Sequence, residues 1–101
     1  MIDLSLEHQE QIREILRRQI PDRTAYIFGS RVRGRAKKFS DVDLAIEGKT
    51  PLTLQLIADL KEAFSSSALP FRIDILDWNR ASDEFRRAIQ DERQKIYEPS
   101  L

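Results

Sequence analysis

Residues 26–46 read YIFGSRVRGRAKKFSDVDLAI, and the fold turns on how this stretch divides. Thr24 to Phe28 is a short apolar run of strand-forming residues that Gly29 closes. Asp41-Val42-Asp43-Leu44-Ala45-Ile46 alternates polar and apolar, the pattern of a half-buried strand. Between them lie Gly29-Ser30 and a basic segment containing Gly34, which predict a short helix followed by a loop. Period-two geometry puts Asp41 and Asp43 on one face of their strand, while Val42, Leu44 and Ile46 point to the core.

Outward from this window, helices and strands alternate. A helix is expected from about Ser5 to Gln19, capped by Ser5, with Ile12, Ile15, Leu16 and Ile20 on one stripe and Pro21-Asp22 ending it. Thr50 is expected to cap a second long helix with Pro51 at its first position. Its core face would be Leu52, Leu56, Leu60, Ala63 and Phe64, running out at Ser65-Ser66-Ser67. Phe71 to Leu76 reads as a third strand. Ser82 is expected to cap a last helix, with Asp83 and Glu84 near its positive end and Phe85, Ile89 and Ile96 as its buried stripe. The order is α-β-α-β-α-β-α, and a small three-stranded sheet with helices packed mainly on one face follows. The pattern does not fix strand direction.

A chain of 101 residues supports a single domain, residues 1–101, and 41% hydrophobic with 34% charged residues suits a folded rather than a disordered chain. Seventeen basic residues balance seventeen acidic ones, which argues against a globally basic nucleic-acid binder. The balance is a cancellation, however. Residues 1–40 carry nine basic and five acidic side chains, residues 41–101 eight and twelve, and the sign changes between Lys38 and Asp41. The absence of cysteine excludes a disulfide framework, thiolate metal ligands and a cysteine nucleophile. No apolar run approaches a membrane span, and Met1-Ile2-Asp3-Leu4 is unlike a signal peptide, so a cytoplasmic setting is expected.

Three features carry chemistry. Gly29-Ser30 after a strand and before a helix allows close backbone approach to a phosphate, with the Ser30 hydroxyl as a further donor, although alone it is an ordinary turn. Asp41 and Asp43 repel each other across one strand face, a cost that a divalent cation would offset, and carboxylate oxygens are what Mg²⁺ selects. With Ile73 and Ile75 on either side of it facing the core, Asp74 faces the other way, as Asp41 and Asp43 do. Neighbouring strands would gather all three acids into a site suited to two-metal chemistry. Gly29 to Ala36 also approaches a phosphate-binding G-x-x-x-x-G-K-[ST] loop, but Arg35 replaces the lysine and Ala36 lacks the hydroxyl.

Gly29-Ser30, ten residues, then Asp41-Val42-Asp43 resembles the G-S-x10-D-x-D signature of the minimal nucleotidyltransferases in the DNA polymerase β-like superfamily. The surrounding Gly-Ser-Arg-x-Arg-Gly and Ser-Asp-x-Asp-Leu match too, and the resemblance covers nearly the whole chain. It implies an α+β, polymerase β-like fold with a mixed sheet. It implies that Gly29 and Ser30 hold nucleotide phosphates, that Asp41 and Asp43 bind Mg²⁺, and that Asp74 completes the metal site and helps activate the incoming hydroxyl. It also implies ATP as substrate and a partner, since such stand-alone domains are often antitoxins that transfer AMP to a tyrosine of a HEPN ribonuclease toxin. Two alternatives stand beside it: a small-molecule acceptor, and an antitoxin that neutralises its partner by binding alone.

Among the remaining residues, Arg31 and Arg33 are expected to meet the phosphates because they follow the turn. Arg72 and Asp77 flank the third strand as candidate supports for Asp74. Tyr26 and Trp78 are expected to pack the domain, His8 to be exposed, and residues 98–101 to fray. An RNA-binding role for the basic segment lacks interleaved aromatics, so direct nucleic-acid binding is not expected.

Overall fold

The computed structural model describes residues 1–100. Its elements in chain order are α1 (Leu6–Gln19), β1 (Thr24–Phe28), α2 (Ser30–Arg33), β2 (Val42–Glu47), α3 (Leu54–Ser65), β3 (Ile73–Asp77), a 3-10 turn (Trp78–Arg80), α4 (Asp83–Ile89) and β4 (Gln94–Tyr97). The α+β class is as expected, but the sheet has four strands rather than three, in the order β3-β2-β1-β4. It is mixed: β1 runs antiparallel to β2 and β4, and β2 runs parallel to β3.

Alternation along the strands divides the interior. Ala25 and Ile27 of β1, Val42, Leu44 and Ile46 of β2, and Ile96 of β4 join Ile12 and Leu16 of α1 and Leu60 and Phe64 of α3 in the main core. Helices α1 and α3 therefore cover one face. The residues between them, Tyr26, Phe28, Ala45 and Leu76, point to the other face and meet Trp78 and Ile89 in a second, smaller cluster. Arg93 is sandwiched there, its guanidinium carbon 3.8 Å from the Tyr26 ring centre and 4.2 Å from that of Trp78. Both aromatics pack the domain, as their sequence context suggests. This cluster leaves the end of the face around Asp43 and Asp74 without a covering helix, and the site lies there.

Three boundaries differ from expectation. Ser5 does cap α1, accepting from the His8 amide at 3.1 Å, but the cap of α3 is Thr53, which accepts from the Leu56 amide at 3.1 Å. The Thr50 hydroxyl and carbonyl accept from Arg23 instead, and the Leu52 amide donates to Asp77 at 2.8 Å. These bonds pin residues 50–52 as an entry segment, with Leu52 buried just before the helix. β3 begins at Ile73, so Phe71 and Arg72 precede it.

The last helix is the largest correction. It stops at Ile89, where the Glu92 and Arg93 amides close the turn on the Ile89 carbonyl, and the chain returns as β4. Ile96 is buried because it belongs to the sheet, whereas Phe85 stays 39% exposed at the edge of the smaller cluster. The spacings of four residues from Phe85 to Ile89 and seven from Ile89 to Ile96 fit a helix stripe, which is why the pattern concealed a four-residue strand. Helix α1 holds β4 through Arg13, whose Nε donates to the Ile96 carbonyl at 2.8 Å. Residues 98–100 follow β4 without regular structure, and the rest of the expected tail, Leu101, lies outside the described residues. Among the described residues no helix is long and apolar enough to cross a membrane.

The two side chains expected on a common stripe separate these architectures energetically. Ile96→Ala should cost about 2–4 kcal/mol of stability in urea denaturation, the toll of a cavity in the main core. Phe85→Ala should cost clearly less, because its ring is partly in water and keeps chiefly an edge contact with Phe28 at 6.0 Å. Equal losses would indicate a continuous helix face.

Candidate active site

Strand register assembles the site. Phe28 lies opposite Asp43 across β1 and β2, and Asp43 lies opposite Asp74 across β2 and β3. One line across three strands thus brings the residue before Gly29, the second acid and the third acid side by side. Asp41 sits one residue ahead of β2, and the β2–β3 ladder begins beside it, with the Val42 amide donating to the Arg72 carbonyl at 2.8 Å. The structure therefore gathers Gly29, Ser30, Asp41, Asp43 and Asp74 at one end of the open face.

Gly29 is required where it stands. Its φ of 77° and ψ of −146° lie in a region that side chains disfavour, and an added Cβ would overlap Asp43 Oδ2. The turn is therefore pressed against the carboxylate at a distance only glycine allows. Ser30 opens α2, which a second left-handed glycine, Gly34, ends after one turn at φ 71°.

The acids repel, as their clustering demands. Burial first, then the charges of Asp74 and Asp41, hold the Asp43 carboxyl above its ordinary range, with Arg33 partly opposing them. Part of the repulsion is relieved by Arg72, whose Nη2 lies 3.4 Å from Asp41 Oδ2 and 3.5 Å from Asp74 Oδ1. Arg72 is thus the direct support of the cluster. Asp77 is not: it is buried at the far end of β3, accepting from the Leu52 and Asn79 amides and pairing with Arg80 at 3.2 Å.

The donor set fits a hard divalent cation, being carboxylate oxygens with surplus negative charge. Among the described residues no three acids or histidines form a ready-made metal cage. With the Arg72 guanidinium bridging Asp41 and Asp74, a cation would have to displace it to take both carboxylates.

The basic segment divides differently from expectation. Arg31 does not present its charge to the turn. It is buried at 6% exposure, and its guanidinium donates to the carbonyls of Asp3, Lys38 and Ser40 at 3.1, 3.2 and 2.8 Å while stacking 5.0 Å from the Phe71 ring centre. It ties the start of the chain, the approach to Asp41 and the approach to β3 to the turn at Gly29. Arg33 grips Glu92 in a two-pronged ion pair, Nε to Oε2 at 2.6 Å and Nη2 to Oε1 at 2.7 Å. Glu92 was not singled out in the sequence, because only the return of the chain toward β4 brings it there. Arg33 is exposed but paired, whereas Arg35, Lys37 and Lys38 are exposed and form no ion pair among the described residues. His8 is half-buried rather than exposed, edge-on to Phe71 at 5.3 Å.

Two substitutions test this geometry. Gly29→Ala should destabilise the protein by on the order of 1–3 kcal/mol, from backbone strain and the clash with Asp43. Hydrogen bonding and the charge of Arg33 hold the Glu92 carboxyl below its ordinary value, so its contribution is complete above the unfolded carboxylate pKa of about 4.3 and fades as pH falls through the lower folded value. Glu92→Gln should therefore melt below the parent at pH 7, and the gap should close on acidification. A gap that persists in acid would mean that the pair does not carry the effect.

Known proteins share this sequence pattern and fold. A family model described as Polymerase beta, Nucleotidyltransferase matches residues 10–100. A protein of Haemophilus influenzae named probable protein adenylyltransferase MntA is 47% identical over 96 residues, spanning 95% of this chain and 81% of its own. A solved toxin–antitoxin complex with AMP-PNP contains a chain 25% identical, with a TM-score of 0.76 over 91% of this chain and 74% of that one. A second solved structure, of a tri-AMPylated Shewanella oneidensis HEPN toxin with its MNT antitoxin, shares the fold at 22% identity and a TM-score of 0.69, covering 91% of this chain and 71% of that one. Sequence and fold together place this chain in the polymerase β nucleotidyltransferase family, and it is an enzyme of that class.

Proposed function

We propose that this chain is a protein adenylyltransferase that acts as an antitoxin, moving AMP from ATP to a tyrosine of a HEPN-type ribonuclease partner with the aid of Mg²⁺. The observation that carries the proposal is the line from Gly29 through Asp43 to Asp74, a glycine turn pressed against a cluster of acids. The name of the Haemophilus influenzae relative and the toxin–antitoxin complexes among the solved neighbours support the choice of nucleotide and of partner.

In this scheme Asp41, Asp43 and Asp74 would hold Mg²⁺, which supplies neutralisation of the triphosphate charge when bound. The Gly29 backbone and the Ser30 hydroxyl bind phosphate oxygens and fix the direction of the leaving group. Asp74 takes the proton of the acceptor hydroxyl as its oxygen forms the new bond to the α-phosphorus. The bond between the α-phosphorus and its bridging oxygen to the β-phosphorus breaks, and pyrophosphate leaves. Arg31 contributes by holding the Lys38–Ser40 approach, and so Asp41, against the turn. Positioning and charge compensation supply most of the rate.

One observation favours a second role, neutralisation by contact alone. The Arg72 bridge compensates two of the acids without a metal, so the cluster could persist in a non-catalytic protein.

A labelling experiment separates the two. Incubated with Mg²⁺, α-labelled ATP and the HEPN-type partner, the protein should label the partner, and Asp41→Asn/Asp43→Asn should lower transfer by about 10³-fold or more. Chelation of the metal should have the same effect. Neutralisation of the partner that survives the double substitution, without label, would establish the contact role.

A further inference from the structure

Resting on that adenylyl-transfer reading, we propose that the groove beside the free edge of β3 is the acceptor site, receiving a partner segment that is apolar around its hydroxyl and acidic at its flanks. β3 is an edge strand of the sheet. Beside it lies a groove of about 810 Å³, bordered by the end of α3 and by the segment leading to Asp41. Its walls include Phe39, Phe64 and Phe71 with Lys61, Arg72 and Asp74. Phe39 keeps 63% of its surface exposed, with the Lys38 ammonium 5.3 Å from its ring centre.

Direction selects the occupant. Displacement at phosphorus proceeds in line, so the attacking oxygen enters opposite the leaving pyrophosphate. Across the sheet the turn at Gly29 ends β1, Asp43 lies on β2 and Asp74 on β3. With the leaving phosphates at Gly29-Ser30, the acceptor comes from the β3 side, past the one carboxylate that lines the groove. The other charged groups in its walls, Lys61 and Arg72, are cations. Charge complementarity therefore calls for acidic neighbours around the hydroxyl, and the phenylalanines for an apolar surface beneath it.

The test uses Phe39→Ala and Lys61→Glu, neither of which touches the acids. Transfer of labelled AMP is measured against concentration of the HEPN-type partner, and affinity for a non-hydrolysable ATP analogue with Mg²⁺ by calorimetry. Each variant should raise the half-saturating partner concentration by about tenfold or more, with nucleotide affinity and melting temperature unchanged. The Lys61→Glu defect should shrink at about 0.5 M salt. Saturation at parental concentrations would overturn the proposal, and so would a loss of nucleotide affinity, which would give the groove to ATP. If the parent protein labels no partner, the adenylyl-transfer reading fails by itself. Partner binding by calorimetry then decides the groove: weaker binding by the variants supports docking there, and equal binding overturns it.

Discussion

Like-charge repulsion among Asp41, Asp43 and Asp74 is the constraint around which this small fold is organised. Carboxylates gathered on one sheet face repel, and with Asp41 and Asp74 half exposed the surrounding water screens that repulsion without removing it. The architecture accepts that cost by crossing three strands in one register, with Asp43 directly between the Gly29 turn and Asp74. It limits the cost by leaving this end of the sheet face partly in water and by laying Arg72 between the outer two acids. The rest of the molecule holds that register. The main core under α1 and α3 fixes the apolar side of each strand, and a one-residue slip would exchange Asp43 for Leu44 at the site.

Arginines do much of the holding. Arg31 gathers three carbonyls from the start of the chain and from the segment before Asp41, Arg23 pins Thr50, Arg13 ties α1 to β4, and Arg93 fills the gap between Tyr26 and Trp78. A planar fork with several fixed donors suits carbonyl groups that point from different segments, and it suits aromatic faces as well. In a chain with few long loops and no disulfide, such forks replace covalent staples. The basic residues between the turn and the acids therefore serve two ends, since Arg31 and Arg33 are consumed by structure while Arg35, Lys37 and Lys38 stay exposed.

What could be read from the sequence follows from how local each signal is. The Gly-Ser turn, the Asp-x-Asp pair and the strand acid were legible because each depends on residue type and alternation within a few positions, and the strand register then brought them together. The cap at Ser5 was legible for the same reason. Thr50 and Thr53 look equally able to cap a helix, and the choice is made by Arg23 and Asp77, residues 27 and 25 positions away from their partners. β4 was hidden because Ile96 satisfies a helix period and a strand period alike, and only its place beside β1 settles the matter. The expected direction of Arg31 was not met, because adjacency in sequence to the Gly29-Ser30 turn says nothing about which way a long side chain turns.

The distribution of charge acquires a physical meaning from this division. The net excess of basic residues before position 41 and of acidic residues after it suggests a ligand spanning the two, yet the two arginines nearest the turn are already satisfied by carbonyls and by Glu92. In the segment between the turn and Asp41 the unpaired cations are Arg35, Lys37 and Lys38, and Lys61 borders the groove. That charge is exposed, on flexible side chains, and is strengthened by whatever anion approaches rather than by internal partners. Under the adenylyl-transfer proposal the protein must bind a polyanion, let pyrophosphate go and release a modified partner, and such loosely held cations serve this better than a fixed cage, because every contact that grips the substrate in full must also be broken after transfer.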